Sequence, residues 1–155
     1  MMDRSTLVSQ WMTEVALDPN ALNAANKLCS FRALDRFNVT IEWPDNSEDL
    51  FISIDLMPST GGELRKKRLE RSMELNAYVL ETRGAALGWD SVRDMLVLSY
   101  RCSVGNVSAQ NLNDLVINLI ETSQYLAEEL TFEAEVVLQD HVRNSGNKWF
   151  QPIQV

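Results

Sequence analysis

Apolar and polar residues recur along this chain with two different periods. From Asn38 to Trp43 the period is two, with Val39, Ile41 and Trp43 on one face and Asn38, Thr40 and Glu42 on the other, the mark of a half-buried strand. Leu50 to Met57 repeats it, with Ile52, Ile54 and Leu56 inward and Ser53 and Asp55 outward. Cys29 to Leu34 reads as a strand before them. Asp35-Arg36 and Pro44-Asp45-Asn46-Ser47 supply the turns. Connections this short predict an antiparallel meander with one wet face. Further on, Ala85 to Trp89 and Met95 to Arg101 form a hairpin across Asp90-Ser91-Val92-Arg93-Asp94. The unbroken run Met95-Leu96-Val97-Leu98 predicts cover on both faces of its strand.

Helical spacing governs the remaining segments. Leu7, Val8, Trp11, Met12 and Val15 define a first amphipathic helix over Ser5 to Ala16, ended by Asp18-Pro19-Asn20. Ala21 to Leu28 is read as a short additional helix. The central helix runs from Glu63 to Thr82, started by Ser59-Thr60-Gly61-Gly62 and followed by Gly84, and it is rich in strong helix formers. It carries two apolar stripes, Leu69, Met73 and Leu80 on one and Leu64, Leu75, Tyr78 and Val79 on the other. One stripe packs on a sheet, and the second asks for a partner such as another copy of the chain; one wide stripe packed within a monomer is the alternative. A last helix begins after Ser108, whose hydroxyl suits an N-cap, and runs to about Gln139 with Leu112, Leu115, Val116, Leu119, Leu126 and Leu130 as its buried stripe.

The order helix, three strands, helix, two strands, helix predicts an α+β fold, a curved antiparallel sheet packed by helices. At 155 residues the chain fits a single domain, residues 1–142, with a polar C-terminal tail over 143–155 that is expected to fray. Trp149 and Phe150 in that tail are candidates for docking on this subunit or another.

The net charge of −8 argues against a general nucleic-acid or anionic-membrane binder. No run reaches the ~18 apolar residues of a membrane span, and the start lacks the basic and apolar regions of a signal peptide. A cytoplasmic protein is expected, in which the sequons at Asn38 and Asn106 carry no sugar. Cys29 and Cys102 are too few for a disulfide framework and are expected as buried free thiols.

Motifs for catalysis are absent from the sequence. It has no GxSxG elbow, HExxH or CxxC, and its one histidine, His141, suits a helix C-terminal cation. Glu133 and Glu135 are two apart and do not share a helix face. No enzyme activity, metal or cofactor is expected. Arg65, Lys66, Lys67, Arg68 and Arg71 crowd the first half of the central helix. They read either as a solvated face paired with Glu63, Glu70 and Glu74 or, with the Gly61-Gly62 helix start, as an anion site.

Several stretches resemble class I type III secretion chaperones, the group typified by the Tir chaperone. They are Met73-Glu74-Leu75-Asn76, then Gly84, then Ala86-Leu87-Gly88-Trp89-Asp90, then Met95-Leu96-Val97-Leu98-Ser99-Tyr100, then the helix entry Val107-Ser108-Ala109-Gln110-Asn111-Leu112. The first helix and the strands Cys29-Ser30-Phe31-Arg32-Ala33-Leu34 and Asn38-Val39-Thr40-Ile41-Glu42 match in layout. The chain departs from the family in a longer link, Asp18 to Lys27, and in the tail. The resemblance implies a homodimer through the central helix and hairpin, with Leu69, Met73, Leu75, Leu80 and Trp89 as interface candidates. It also implies binding of an N-terminal segment of a secreted effector, held extended and unloaded by the secretion ATPase. Leu7, Trp11, Val39, Ile41 and Ile54 are the candidate effector contacts. A regulator protein is a further possible partner. The alternative function is a monomeric regulatory or ligand-sensing domain that binds a small anion through Arg65 to Arg71.

Overall fold

A computed structural model describes residues 3–145, with side chains described within 3–131. Helix α1 (Arg4–Glu14) ends two residues before the expected Ala16, and its end is a Schellman motif. Leu17 N–H donates to Met12 O (2.9 Å) and Ala16 N–H to Thr13 O (3.2 Å), which satisfies carbonyls the helix leaves open. Ala16 sits at φ 53°, a conformation that glycine adopts without steric cost.

The link that follows is not a helix. A 3-10 turn (Pro19–Ala21) leads into a two-residue strand β1 (Leu22–Asn23). Asp18 accepts from Asn20 N–H (2.8 Å), so local side-chain bonding replaces helix propagation. The expected strands follow as β2 (Leu28–Ala33), β3 (Phe37–Glu42) and β4 (Asp49–Pro58), then β5 (Ala86–Asp90) and β6 (Met95–Ser103). Together with β1 they form one antiparallel sheet in the order β1-β2-β3-β4-β6-β5.

Register explains the sheet's two characters. The row Val39, Ile54, Leu98, Leu87 runs across β3, β4, β6 and β5, and all four side chains are buried. The next row, Ser30, Thr40, Ser53, Ser99 and Ala86, points the other way and contains no buried residue. Helices cover the first face alone. The Met95 to Leu98 run is therefore not covered on both sides: Leu96 and Leu98 are buried, while Met95 and Val97 are half-buried on the open face. Between Asp55 and Met57 a bulge shifts the register and sharpens the local twist.

Helix α2 (Gly62–Asn76) is shorter than the Glu63 to Thr82 expectation, and Asn76 is the reason. Its amide donates to Leu87 O (2.8 Å) and accepts from Leu87 N–H (2.8 Å), so the side chain acts as a strand partner for β5. The chain then turns through Val79 (φ 56°), Arg83 (φ 50°) and Gly84 (φ 85°). Helix α3 (Ala109–Ser145) starts at the expected cap. Ser108 Oγ accepts from Asn111 N–H (3.1 Å) and Asn111 Oδ1 accepts from Ser108 N–H (3.1 Å), a reciprocal box. Leu112, Val116, Leu119, Leu126 and Leu130 of α3 close the core. The 146–155 part of the expected tail, with Trp149 and Phe150, lies outside the described residues, as do the side chains of Glu133, Glu135 and His141.

Candidate functional site

Two surfaces are built from these elements, one on the α1 side of the sheet and one on the α2 side. On the first, Ser9, Met12 and Thr13 lie at three- and four-residue spacing on α1, and Ala16 follows just past its end. With Leu17, Pro19 and Leu22 they line a cavity of about 400 Å³. Its walls are mainly apolar, and the edge of β2 beside it is paired with β1 only at Leu28 and Cys29. Sequence reasoning missed this cavity. The usable signal was the length of the link from Asp18 to Lys27, whose turn-forming Asp-Pro-Asn start precedes an apolar residue, Leu22.

The five candidate effector contacts are not on that surface. Leu7, Trp11, Val39, Ile41 and Ile54 are each at most 2% exposed in this chain and belong to one core. The inward faces of β3 and β4 and the apolar stripe of α1 pack on one another, because each buries its apolar residues most fully against the others. Trp11 stacks at a tilt on Phe31, with 5.6 Å between ring centres, and its indole N–H donates to Asn113 Oδ1 (3.3 Å). Both polar and apolar parts of the indole are thereby satisfied from within the chain.

On the second surface the interface candidates divide. Leu75 is buried and Leu69 half-buried, whereas Met73 (73% exposed), Leu80 (79%) and Trp89 (42%) face outward. Tyr78 and Val79 join them; the turn after Asn76 puts three large apolar residues in a row into solvent. Tyr125 Oη donates to Glu81 (2.6 Å) and Arg83 lies 3.7 Å from Glu121, which holds that turn against α3.

The basic half of α2 is largely engaged. Arg65 donates to Ser59 Oγ (3.1 Å), pairs with Asp94 (3.1 Å) and lies 5.3 Å from the centre of the Trp89 ring. Arg68 donates to Pro58 O (2.9 Å). Arg71 spans Glu129 (2.6 Å) and Glu74 (3.0 Å), bonds that raise its pKa, Glu129 foremost, and Lys66 approaches Glu70 at 4.0 Å. The Ser59 hydroxyl, then the Trp89 indole and Arg65, hold the Asp94 carboxyl below the usual carboxylate range. These bonds tie the start of α2 to the β5–β6 turn. They pair Arg65 and Arg71 with carboxylates, whereas Arg68 meets only the oxygens of Pro58 and Thr60, and the buried Nε–H groups of Arg68 and Arg71 have no acceptor among the described residues.

Cys29 and Cys102 are buried free thiols, and burial pushes Cys29 up to about 11. Among the described residues, no group of three or more His, Cys, Asp or Glu is placed to hold a metal. Among the same residues, no helix is long and apolar enough to cross a membrane.

The sequence profile of the Tir chaperone protein (CesT) family matches residues 7–127. The chain belongs to that family. The match spans α1 through the first half of α3 and so includes every strand of the sheet. No curated protein matches the sequence significantly. Among solved structures, a chain of the ExsC–ExsE complex superposes with a TM-score of 0.68 at 14% identity, covering 83% of this chain and 97% of that one. A chain of the HopA1–SchA chaperone–effector complex gives 0.62 at 16% identity, with 80% and 92% covered. A chain of the heterodimeric ExoU–SpcU complex from the type III secretion system of Pseudomonas aeruginosa gives 0.59 at 16%, with 83% and 96% covered. At these identities the likeness is one of fold.

Proposed function

We propose that this CesT-family protein is a cytoplasmic, non-enzymatic chaperone of type III secretion that binds the N-terminal segment of an effector and keeps it soluble and secretion-competent. The observation that carries this reading is the family match over residues 7–127. The folds it resembles include a chain of a chaperone–effector complex and a chain of a heterodimeric complex from a type III secretion system. The sheet edge at β2 and the adjoining apolar cavity suit an extended client, which offers backbone hydrogen bonds to an edge and alternate side chains to pockets. The core set Leu7, Trp11, Val39, Ile41 and Ile54 then acts beneath the contact by fixing α1 and the strands that shape it.

The working form in this reading is a homodimer. Met73 on α2, Tyr78 and Leu80 in the turn after it and Trp89 on β5 expose apolar surface, and large exposed apolar patches mark interaction sites. Leu69 and Leu75 brace that surface from below. Residues 1–142 act as one chaperone domain, and the secretion ATPase or a regulator is a further partner. The anion-sensing alternative is not favoured, because Arg65 and Arg71 are already paired with Asp94, Glu74 and Glu129.

The test is co-expression of the chain with genes from its own host, followed by affinity capture and identification of bound proteins. A stoichiometric complex with a secreted protein, dependent on that protein's N-terminal region, is expected. A chain recovered with a small anion and no protein would overturn the reading.

A further inference from the structure

Residues 18–27 hold the sheet edge loosely. Strand β1 meets β2 through two residue pairs, Leu22 with Cys29 and Asn23 with Leu28. Apart from those that fix Lys27 at its far end, the other hydrogen bonds of the segment stay inside it: Ala21 N–H to Asp18 O (2.9 Å), Asn20 N–H to Asp18 Oδ1 (2.8 Å), Asn26 N–H to Asn23 Oδ1 (3.1 Å) and Lys27 N–H to Ala24 O (3.3 Å). None of residues 18–27 is buried. Between the segment and α1 lies the cavity of about 400 Å³, open to solvent, with Leu22 and Pro19 lining it opposite Met12 and Ala16. Ala16 before the segment and Lys27 at its end both sit at φ 53°. The far end is fixed, since Trp43 N–H donates to Lys27 O (3.0 Å) and Lys27 pairs with Asp45. A segment with mostly internal bonds, two ladder pairs and an open groove beside it can leave as a unit at small cost.

We propose that residues 18–27 are a displaceable edge strand that occupies the client's place in the free chain. This rests on the chaperone reading above. The occupant is an extended polypeptide segment with alternate apolar residues. An unpaired strand edge takes a backbone partner, and the apolar cavity takes the side chains that such a segment presents to one face. The client pairs with Leu28 and Cys29 in place of Asn23 and Leu22 and continues along Ser30 to Ala33. One of its apolar side chains replaces Leu22 against Met12, whose sulfur already lies 3.6 Å from that of Cys29. In the free chain the segment shields the edge from pairing with other chains.

Leu22→Cys tests this directly, because directly opposed antiparallel residues share a face at disulfide-compatible distance and residue 22 is opposed to the native Cys29. The probe is a fluorescein-labelled peptide, Thr-Leu-Thr-Ile-Thr-Leu-Thr. It is expected to bind the wild-type chain and reduced Leu22→Cys alike, to bind the oxidised variant about tenfold or more weakly, and to recover on addition of reductant. Equal binding to the oxidised and reduced forms would overturn the displaceable strand while leaving the chaperone reading in place. Failure of the wild-type chain to bind the peptide would also overturn it, and the chaperone reading is judged separately by co-purification of an effector. Hydrogen exchange of the free wild-type chain needs no variant. Amides of the β1–β2 bridge are expected to exchange well before those of Ile41 and Ile52, and equal protection would overturn the proposal.

Discussion

Asn76→Ala should destabilise the chain by about 2 kcal/mol. The side chain makes two hydrogen bonds of 2.8 Å to the two backbone groups of Leu87 in a part-buried site. Each such bond contributes roughly 1 kcal/mol net, and backbone groups left unpaired cost about 1–3 kcal/mol. Alanine returns up to ~0.7 kcal/mol of helix propensity at the last residue of α2, which leaves the net near 2. For a domain of this size that is a fall in melting temperature of about 4–8 °C, or a shift of the urea midpoint by about 1 M at unchanged slope. The assay is urea unfolding followed by circular dichroism at fixed protein concentration, with exchange of the Leu87 amide as a local readout. Asn76→Asp is the control, since it keeps the acceptor for Leu87 N–H but sets a carboxylate against Leu87 O. It should be destabilised at pH 7 and partly recover where the carboxyl is protonated and can donate. A loss below ~0.5 kcal/mol for Asn76→Ala, with Leu87 still protected, would refute the claim that Asn76 ends α2 by clamping β5.

Trp11→Glu is expected to abolish the fold in circular dichroism, because it buries an unpaired carboxylate at a site 2% exposed, at a cost of about 4 kcal/mol or more. Ala16→Gly should raise stability by roughly 1 kcal/mol, read as a higher melting temperature, by relieving the left-handed C′ position of α1. The carboxyls of Asp45, Asp49, Asp90 and Asp94 are all held low in the folded chain, so their contribution is present above the unfolded carboxylate pKa of ~4 and is lost as pH falls through the lower folded values. Acid titration should therefore show stability declining below about pH 4, with a shallower decline in Asp94→Asn. Leu80→Asp with Met73→Glu should leave circular dichroism unchanged and convert a dimer to a monomer in sedimentation velocity; a persistent dimer would exclude that surface.

Patterns with a local cause were legible in the sequence. The alternation in Asn38 to Trp43 and Leu50 to Met57 reads as two strands because a sheet with one covered face imposes period two. Ser108 reads as a cap because its hydroxyl serves a backbone amide three residues away. The end of α2 was not legible, since Asn76 stops the helix by bonding to Leu87, eleven positions on, and propensity through Thr82 is otherwise favourable. Ala21 to Leu28 reads as a short helix from its helix formers, while the ladder of Leu22 to Cys29 that replaces it is a tertiary contact. The candidate site suffered from a deeper ambiguity. Trp11 and Ile41 look the same in sequence whether an apolar face meets a client or its own core, and only the stacking of α1, α3 and the sheet distinguishes the two. Of the two stripes expected on the central helix, Met73 is exposed on α2, while Leu80 lies in the turn beyond Asn76, where helical spacing no longer applies.

The most direct test of the account is native mass spectrometry of the protein isolated from its own host. The account predicts a mass of two 17.6 kDa chains together with one copy of a secreted protein. A single chain carrying a small-molecule adduct, or carrying nothing, would contradict it.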